Sequence, residues 1–153
     1  MLNVVLFQPE IPHNTGAIGR LCLATNARLH LIKPLGFSLD DKQLKRAGLD
    51  YWAEVDVRVW DSWEALAAEI PAGAACWFIE CQGEHTYWEA DLTADEIFLV
   101  FGPETRGIPA SVIQPERCLR IPMQGTRSLN LATAAGIVMY ETLRQRTLAG
   151  IMS

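Results

Sequence analysis

The sequence lacks a long apolar run, a paired-cysteine motif and an excess of positive charge. No apolar segment approaches the roughly 18 to 20 residues that cross a bilayer, and the first residues do not resemble a secretory signal. We therefore expect a cytoplasmic protein without a membrane segment. The four cysteines are scattered, with no CxxC pair, and the three histidines are isolated. This pattern favours reduced thiols and predicts no bound metal.

Three common nucleotide-binding or catalytic motifs are absent as well. The chain has no GxGxxG, no GxxxxGK[ST] and no GxSxG, which argues against a Rossmann dinucleotide site, a P-loop and a triad hydrolase. Its formal net charge of −5 excludes a uniformly basic nucleic-acid binder. The charge is uneven, however. Residues 1–50 hold six Lys/Arg and four Asp/Glu, residues 51–100 hold one and eleven, and residues 101–153 hold six and three.

The sequence does contain the pattern of an α/β domain. Its 153 residues, half of them apolar, suit one compact domain spanning residues 1–153. Short apolar runs alternate with helical patterns, which predicts a mostly parallel sheet flanked by helices. Strands are predicted at 2–7, 28–32, 55–60, 75–79, 96–102 and 118–123. Helices are predicted from a cap at Asn14 or Thr15 to about 27, from Asp40 to 49, from Ser62 to 70, and from about 129 to 146.

The last predicted helix has an unusual composition. It is small or apolar on almost every side as far as Glu141, so packing one stripe against a sheet would leave apolar surface exposed. Either the helix lies between the sheet and loops, or a second copy of the chain covers it. We favour the second interpretation, which predicts a homodimer.

Three loops follow predicted strands, at residues 8–20, 102–109 and 124–128, and we call them the first, second and third candidate loops. α/β proteins usually bind ligands at such loops. Each has a structural interpretation too: Arg20 as a surface arginine, the Gly102-Pro103 pair as a plain turn, and Ser128 as a helix cap. Together the loops offer amide donors, carbonyls and apolar side chains with few ionic groups. That set suits an adenosine-containing cofactor better than a polyphosphate.

The residues of these loops resemble a known family. PEIPHNTGAIGR at 9–20, LVFGPETRGIP at 99–109 and RIPMQGTRSLNLATAAGIVMYE at 120–141 are similar to the three motifs of the SPOUT methyltransferases. The stretch PLGFSLDDKQLKRAGLDYW at 34–52 resembles the short bacterial branch that 2′-O-methylates the wobble nucleotide, position 34, of tRNA. The resemblance implies an α/β fold with a deep C-terminal trefoil knot, S-adenosylmethionine as methyl donor, a homodimer, and binding of the tRNA anticodon stem-loop.

The same resemblance assigns roles to individual positions. Cofactor contacts are expected at Ile79, Gly102, Ile121, Met123 and Ser128. Positions associated with catalysis or with the order of the active site are Arg20, Glu104, Ser128 and Asn130. Contacts to RNA are expected at Arg20, Arg127 and Tyr140.

The chain also departs from the usual pattern of the branch. Glu80-Cys81-Gln82 stands where the branch often has small hydroxyls and a lysine, and a carboxylate there disfavours phosphate. Further departures are at His13, Ala17, Gly19 and Ala132.

Two other functions remain open at this stage. One is a related ribose methyltransferase acting on another tRNA or rRNA position, and the other is a non-catalytic module that binds the cofactor or RNA. The joint presence of Arg20, Glu104, Ser128 and Asn130 favours an enzyme.

Overall fold

The computed structural model describes residues 1–47 and 51–151. The strands are β1 (Leu2–Phe7), β2 (Arg28–Ile32), β3 (Val57–Trp60), β4 (Ala75–Ile79), β5 (His85–Thr86), β6 (Ile97–Phe101) and β7 (Cys118–Arg120). The helices are α1 (Pro12–Thr25), α2 (Lys42–Ala47), α3 (Trp63–Ala67) and α4 (Leu131–Leu148). Single 3₁₀ turns lie at Trp52–Glu54, Tyr87–Glu89 and Pro115–Arg117.

The strands form one sheet in the order β3-β2-β1-β6-β4-β7-β5. Every strand pairing within the described residues is parallel, so the predicted fold class is confirmed. β1 and β6 lie side by side and are buried throughout, as expected for strands covered on both faces. Because Leu6 pairs with Phe101, the loops after β1 and β6 leave the sheet next to each other.

Alternate residues of β1 face two different apolar clusters. Val4 and Leu6 pack in the cluster that contains residues of α1 and α4, whereas Val5 and Phe7 pack in the cluster that contains Leu66 of α3. Helices α1 and α4 therefore cover one face of the sheet, α2 packs against α1, and α3 covers the other face.

Helices α1 and α2 approach each other closely at Gly16. A Cβ atom at this position would lie 2.2 Å from the carbonyl oxygen of Leu44, so the contact requires glycine. This contact holds α2, which follows β2, against α1.

The starts of α1 and α2 differ from the predictions. α1 begins at Pro12 with no side-chain cap, because proline suits the first helical position; the predicted cap at Asn14 or Thr15 is wrong. The Asp41 carboxylate, rather than that of Asp40, accepts the amide of Gln43 at the start of α2. The predicted end of α2 at residue 49 lies outside the described residues.

The cap of α3 is confirmed, since the Ser62 Oγ accepts the Ala65 amide at 3.1 Å. α3 nevertheless ends at Ala67, three residues before the predicted end.

The C-terminal third also differs in its boundaries. β7 ends at Arg120 instead of residue 123, and α4 begins at Leu131 instead of 129. β5 was not predicted, since two residues are too few to show a period. The knot implied by the resemblance stays a prediction. Among residues 1–47 and 51–151, no helix has both the length and the apolar character to cross a membrane.

A buried polar chain links β1, β2 and β3. The Trp60 Nε1 donates to the His30 Nδ1 at 3.0 Å, and the His30 Nε2 lies 2.9 Å from the Asn3 Oδ1. Because an indole nitrogen can only donate, the ring is neutral and its Nε2 carries the proton. Burial, followed by the nearby Arg28 and Arg58, lowers the pKa of His30 from 6.5 to about 4.

This lowered pKa predicts a loss of stability in mild acid. Between pH 6.5 and 4 the unfolded chain binds the His30 proton and the folded chain does not. The free energy of unfolding should therefore fall by roughly 2 to 3 kcal/mol as the pH drops through this window. Urea unfolding across this window should show a shallower pH dependence for His30→Gln than for the wild type. The exposed His85→Gln variant should match the wild type, and equal slopes for all three proteins would contradict the prediction.

Candidate active site

The loops that follow β4, β6 and β7 close around one cavity of about 360 Å³. Its lining includes all five positions at which cofactor contacts were expected: Ile79, Gly102, Ile121, Met123 and Ser128. These residues are up to 49 positions apart in sequence, from 79 to 128, and the parallel sheet brings them together because the carboxyl ends of its strands share one edge. Their contact with a cofactor stays a prediction.

The wall of the cavity next to β6 is a tight turn, which we call the 102–108 loop. A Cβ atom on Gly102 would lie 2.9 Å from the backbone nitrogen of Ile108. The two ends of the loop are thus too close for any side chain at position 102. Backbone atoms of this loop therefore line the cavity directly.

The Glu104 carboxylate joins the 102–108 loop to the start of α1. It accepts the backbone amides of Glu10 at 2.7 Å and Ile11 at 2.9 Å, and the Nδ2 of Asn14 at 3.2 Å. The positive end of the helix dipole also favours a carboxylate at this place. All three donors are directed at one side chain, so Glu104 holds the 102–108 loop against the start of α1.

Glu10 forms the reciprocal connection. Its carboxylate accepts both the amide and the hydroxyl of Thr105 at 2.8 Å. These hydrogen bonds from Thr105, the backbone one foremost, lower the pKa of Glu10. The first and second candidate loops are therefore connected in both directions.

Asn14 extends the connection to the third candidate loop. Its side chain is 4% exposed, and its Oδ1 accepts the Nδ2 of Asn130 at 2.9 Å. The Oδ1 of Asn130 in turn accepts the Thr133 amide at 3.1 Å and caps α4. One buried amide thus joins the start of α1, the 102–108 loop and the start of α4.

Sequence reasoning missed the role of Asn14. The residue belongs to the first motif, but asparagine before an apolar run is also the usual sign of a helix cap. A signal was available: Pro12 suits the first helical position, which places Asn14 inside the helix.

Ser128 and Arg127 lie in the exposed loop before α4. Ser128 lines the cavity, and its alternative interpretation as the helix cap is wrong, because Asn130 caps α4. The cap falls on Asn130 because the helix begins two residues later than predicted.

Arg20 and Tyr140 lie outside the lining of the cavity. Arg20 is exposed on α1 and Tyr140 is 48% exposed on α4, two helices that pack together. Arg20 follows Asn14 by six residues, which places it about 9 Å further along the helix axis. The roles of both residues in catalysis and RNA binding stay predictions.

The chemistry of the lining fits an adenosine-containing cofactor. The lining combines the apolar residues Ile79, Ile121 and Met123 with residues of the 102–108 loop, and the volume lies in the range of small-molecule sites. The cavity does not concentrate basic side chains as a polyphosphate site does. Within the described residues, no three His, Cys, Asp or Glu side chains come together in a way that could hold a metal ion.

The parallel sheet, with a cavity between the loops after β4, β6 and β7, is the fold that this chain shares with solved methyltransferases of the SPOUT class. The chain belongs to the SpoU rRNA methylase family, whose model matches residues 1–140.

Known proteins resemble the chain over nearly its full length. The tRNA (cytidine(34)-2′-O)-methyltransferase of Methylovorus glucosotrophus is 47% identical over 154 residues, which cover 98% of this chain and 99% of that one. A structure solved for "Structural insights into the 2-OH methylation of C/U34 on tRNA" superposes with a TM-score of 0.91 at 48% identity, covering 98% and 97% of the two chains. The SpoU methyltransferase AviRb of Streptomyces viridochromogenes, in complex with the cofactor AdoMet, gives a TM-score of 0.83 at 26% identity and covers 97% of this chain and 61% of that one.

The hydrogen bonds that join Asn14 to Glu104 and Asn130, which we call the Asn14 bridge, predict an effect on stability. Asn14→Ala removes two hydrogen bonds, one to Glu104 and one from Asn130, so the free energy of unfolding should fall by about 1 to 3 kcal/mol. A double-mutant cycle by urea unfolding should show that Asn14→Ala and Asn130→Ala couple by more than about 0.5 kcal/mol. The cap variant Ser62→Ala, on the other face of the sheet, is the control and should be additive with Asn14→Ala. Additivity of the Asn14 and Asn130 changes would show that the bridge is not formed.

Proposed function

We propose that the chain transfers a methyl group from S-adenosylmethionine to the ribose 2′-OH of nucleotide 34 of tRNA, a cytidine or a modified uridine. The observation that carries the proposal is one cavity between the loops after β4, β6 and β7, with the start of α1 held beside it through Glu104, Asn14 and Asn130. The proteins of this size that the chain resembles at 47–48% identity act on that nucleotide by their names or descriptions.

When bound, S-adenosylmethionine supplies a methyl group that its sulfonium already makes electrophilic. The chain therefore has to align the ribose oxygen with that methyl group and assist the loss of the hydroxyl proton. Ile79, Ile121 and Met123 exclude water from the cavity. The 102–108 loop, held through Glu104, supports the orientation of the methyl donor.

Glu104 is a positioning residue in this proposal. Its two oxygens already accept two backbone amides and the Asn14 amide, so they are committed to holding the loop. Asn130 acts at the next position of the same chain of hydrogen bonds, where it fixes the start of α4 beside Ser128.

Arg20 is the group that stabilises the reacting oxygen. A guanidinium remains protonated in proteins, so Arg20 does not act as a base. It stabilises the negative charge that develops on the ribose 2′-oxygen, and a phosphate or water accepts the proton.

The remaining parts of the proposal concern partners and location. The exposed Tyr140 and Leu148, at 48% and 75%, support a homodimer that covers part of α4. The anticodon stem-loop would contact Arg20, Arg127 and Tyr140, at the margins of the site. The enzyme acts as a single domain in the cytoplasm, where its tRNA substrate is found, and needs no metal.

Mapping of the transferred methyl group tests the proposal directly. The protein is incubated with labelled S-adenosylmethionine and tRNA from a strain that lacks the modification, and the product is digested and analysed by mass spectrometry. Label is expected on the 2′-oxygen of nucleotide 34. An anticodon stem-loop with a 2′-deoxy sugar at this position is the matched control and should accept none. Label on rRNA or another tRNA nucleotide instead would overturn the choice of substrate.

The role of Arg20 predicts that lysine cannot replace it. A lysine is a flexible point charge without the planar fork of donors, so Arg20→Lys should lower single-turnover methylation on the order of 100-fold. Arg28→Lys is the control, because Arg28 pairs with Asp56 at the amino end of β2, and it should retain full activity. Near-wild-type turnover with unchanged tRNA affinity in Arg20→Lys would refute the assigned role.

A further inference from the structure

Glu80, the residue after β4, lies in the wall between the proposed cofactor cavity and an adjoining cavity of about 320 Å³, and it lines both. Its Oε1 accepts the backbone amide of Ile108 at 2.5 Å. A Cβ atom at Gly107 would lie 3.4 Å from both carboxylate oxygens, so the backbone of the 102–108 loop lies directly over this side chain. Glu80 therefore contacts the 102–108 loop at the point where its two ends lie close together, an approach that requires glycine at position 102.

Glu80 is the less compensated of the two carboxylates that line this cavity. The other charged side chains of the lining are Glu104 and Arg106. Glu104 accepts three N–H donors at the start of a helix, whereas Glu80 accepts one backbone donor within the described residues. Arg106 is exposed, and its Nη2 lies 3.4 Å from the Gln8 Oε1. A net negative potential therefore remains on the Glu80 side of the cavity.

This potential distinguishes the two forms of the proposed cofactor. S-adenosylmethionine carries a positive sulfonium, and the product S-adenosylhomocysteine carries a neutral thioether at the same atom. A cavity of this volume is about 9 Å across, and over such a distance a carboxylate attracts a unit cation enough to change affinity roughly two- to tenfold. The neutral thioether gains nothing from the same charge.

We propose that Glu80 makes the cavity favour the sulfonium donor over the demethylated product, so that the product leaves readily after each transfer. Glu80 is a specificity-determining residue that acts through its charge, while its Oε1 holds the Ile108 amide. The inference rests on the proposed function in one respect, the use of S-adenosylmethionine as donor. It concerns a position at which this chain departs from the small hydroxyl residues common in the branch it resembles.

Ligand binding without RNA tests the inference. Dissociation constants for S-adenosylmethionine and S-adenosylhomocysteine are measured by calorimetry on the wild type, Glu80→Gln and Glu84→Gln. Glutamine keeps the size of the side chain and an oxygen for the Ile108 amide, and removes only the charge. Glu80→Gln should bind the donor roughly two- to tenfold more weakly and the product unchanged. Glu84 lines only the adjoining cavity of about 320 Å³, so its variant should match the wild type.

Several outcomes separate this inference from the proposed function. An unchanged affinity for both ligands, or an equal change for both, would overturn the role of the Glu80 charge. A wild-type protein that binds neither ligand would instead overturn the proposed cofactor. A second measurement needs no variant. Raising the salt concentration from about 0.05 M to about 0.5 M should reduce the ratio of the product's dissociation constant to that of the donor in the wild type. A preference that does not change with salt overturns the inference.

Discussion

The candidate site depends on one buried amide side chain, that of Asn14. It donates to Glu104 and accepts from Asn130, so it satisfies polar groups of two separate segments at once. A buried amide without such partners would cost more free energy than its hydrogen bonds return. The three segments must therefore adopt the arrangement that satisfies Asn14 together, which makes the geometry of the cavity a cooperative property of distant parts of the chain.

The parallel sheet makes this arrangement possible. Adjacent parallel strands end at the same edge, and the register of β1 against β6 brings Glu10 and Glu104 within reach of each other's loop. The two carboxylates exchange hydrogen bonds with the opposite backbone. Close packing at Gly102 then turns the loop back on itself, which places backbone groups rather than side chains along the cavity.

The charges of the chain are unevenly distributed. Arg20 is exposed on α1, Glu64 lies on α3 at the opposite face of the sheet, and Arg144 of α4 pairs with Glu141 of the same helix. The net charge of −5 therefore does not describe the surroundings of Arg20. In this arrangement the protein does not need an overall positive charge to approach RNA, provided that its phosphates meet the α1 and α4 side.

The sequence by itself determined the α/β class, the central strands and the members of the cavity lining, because apolar periodicity and motif residues are local properties. It did not determine where α1 and α4 begin. Asn14 and Ser128 both fit the local pattern of a helix cap, but α1 begins at Pro12 without a side-chain cap and α4 is capped by Asn130. Tertiary structure decided this. The hydrogen-bond partners of Asn14 lie 90 and 116 residues away in sequence. Only the folded sheet brings them within hydrogen-bonding distance, so the Asn14 side chain bonds to them and does not cap the helix.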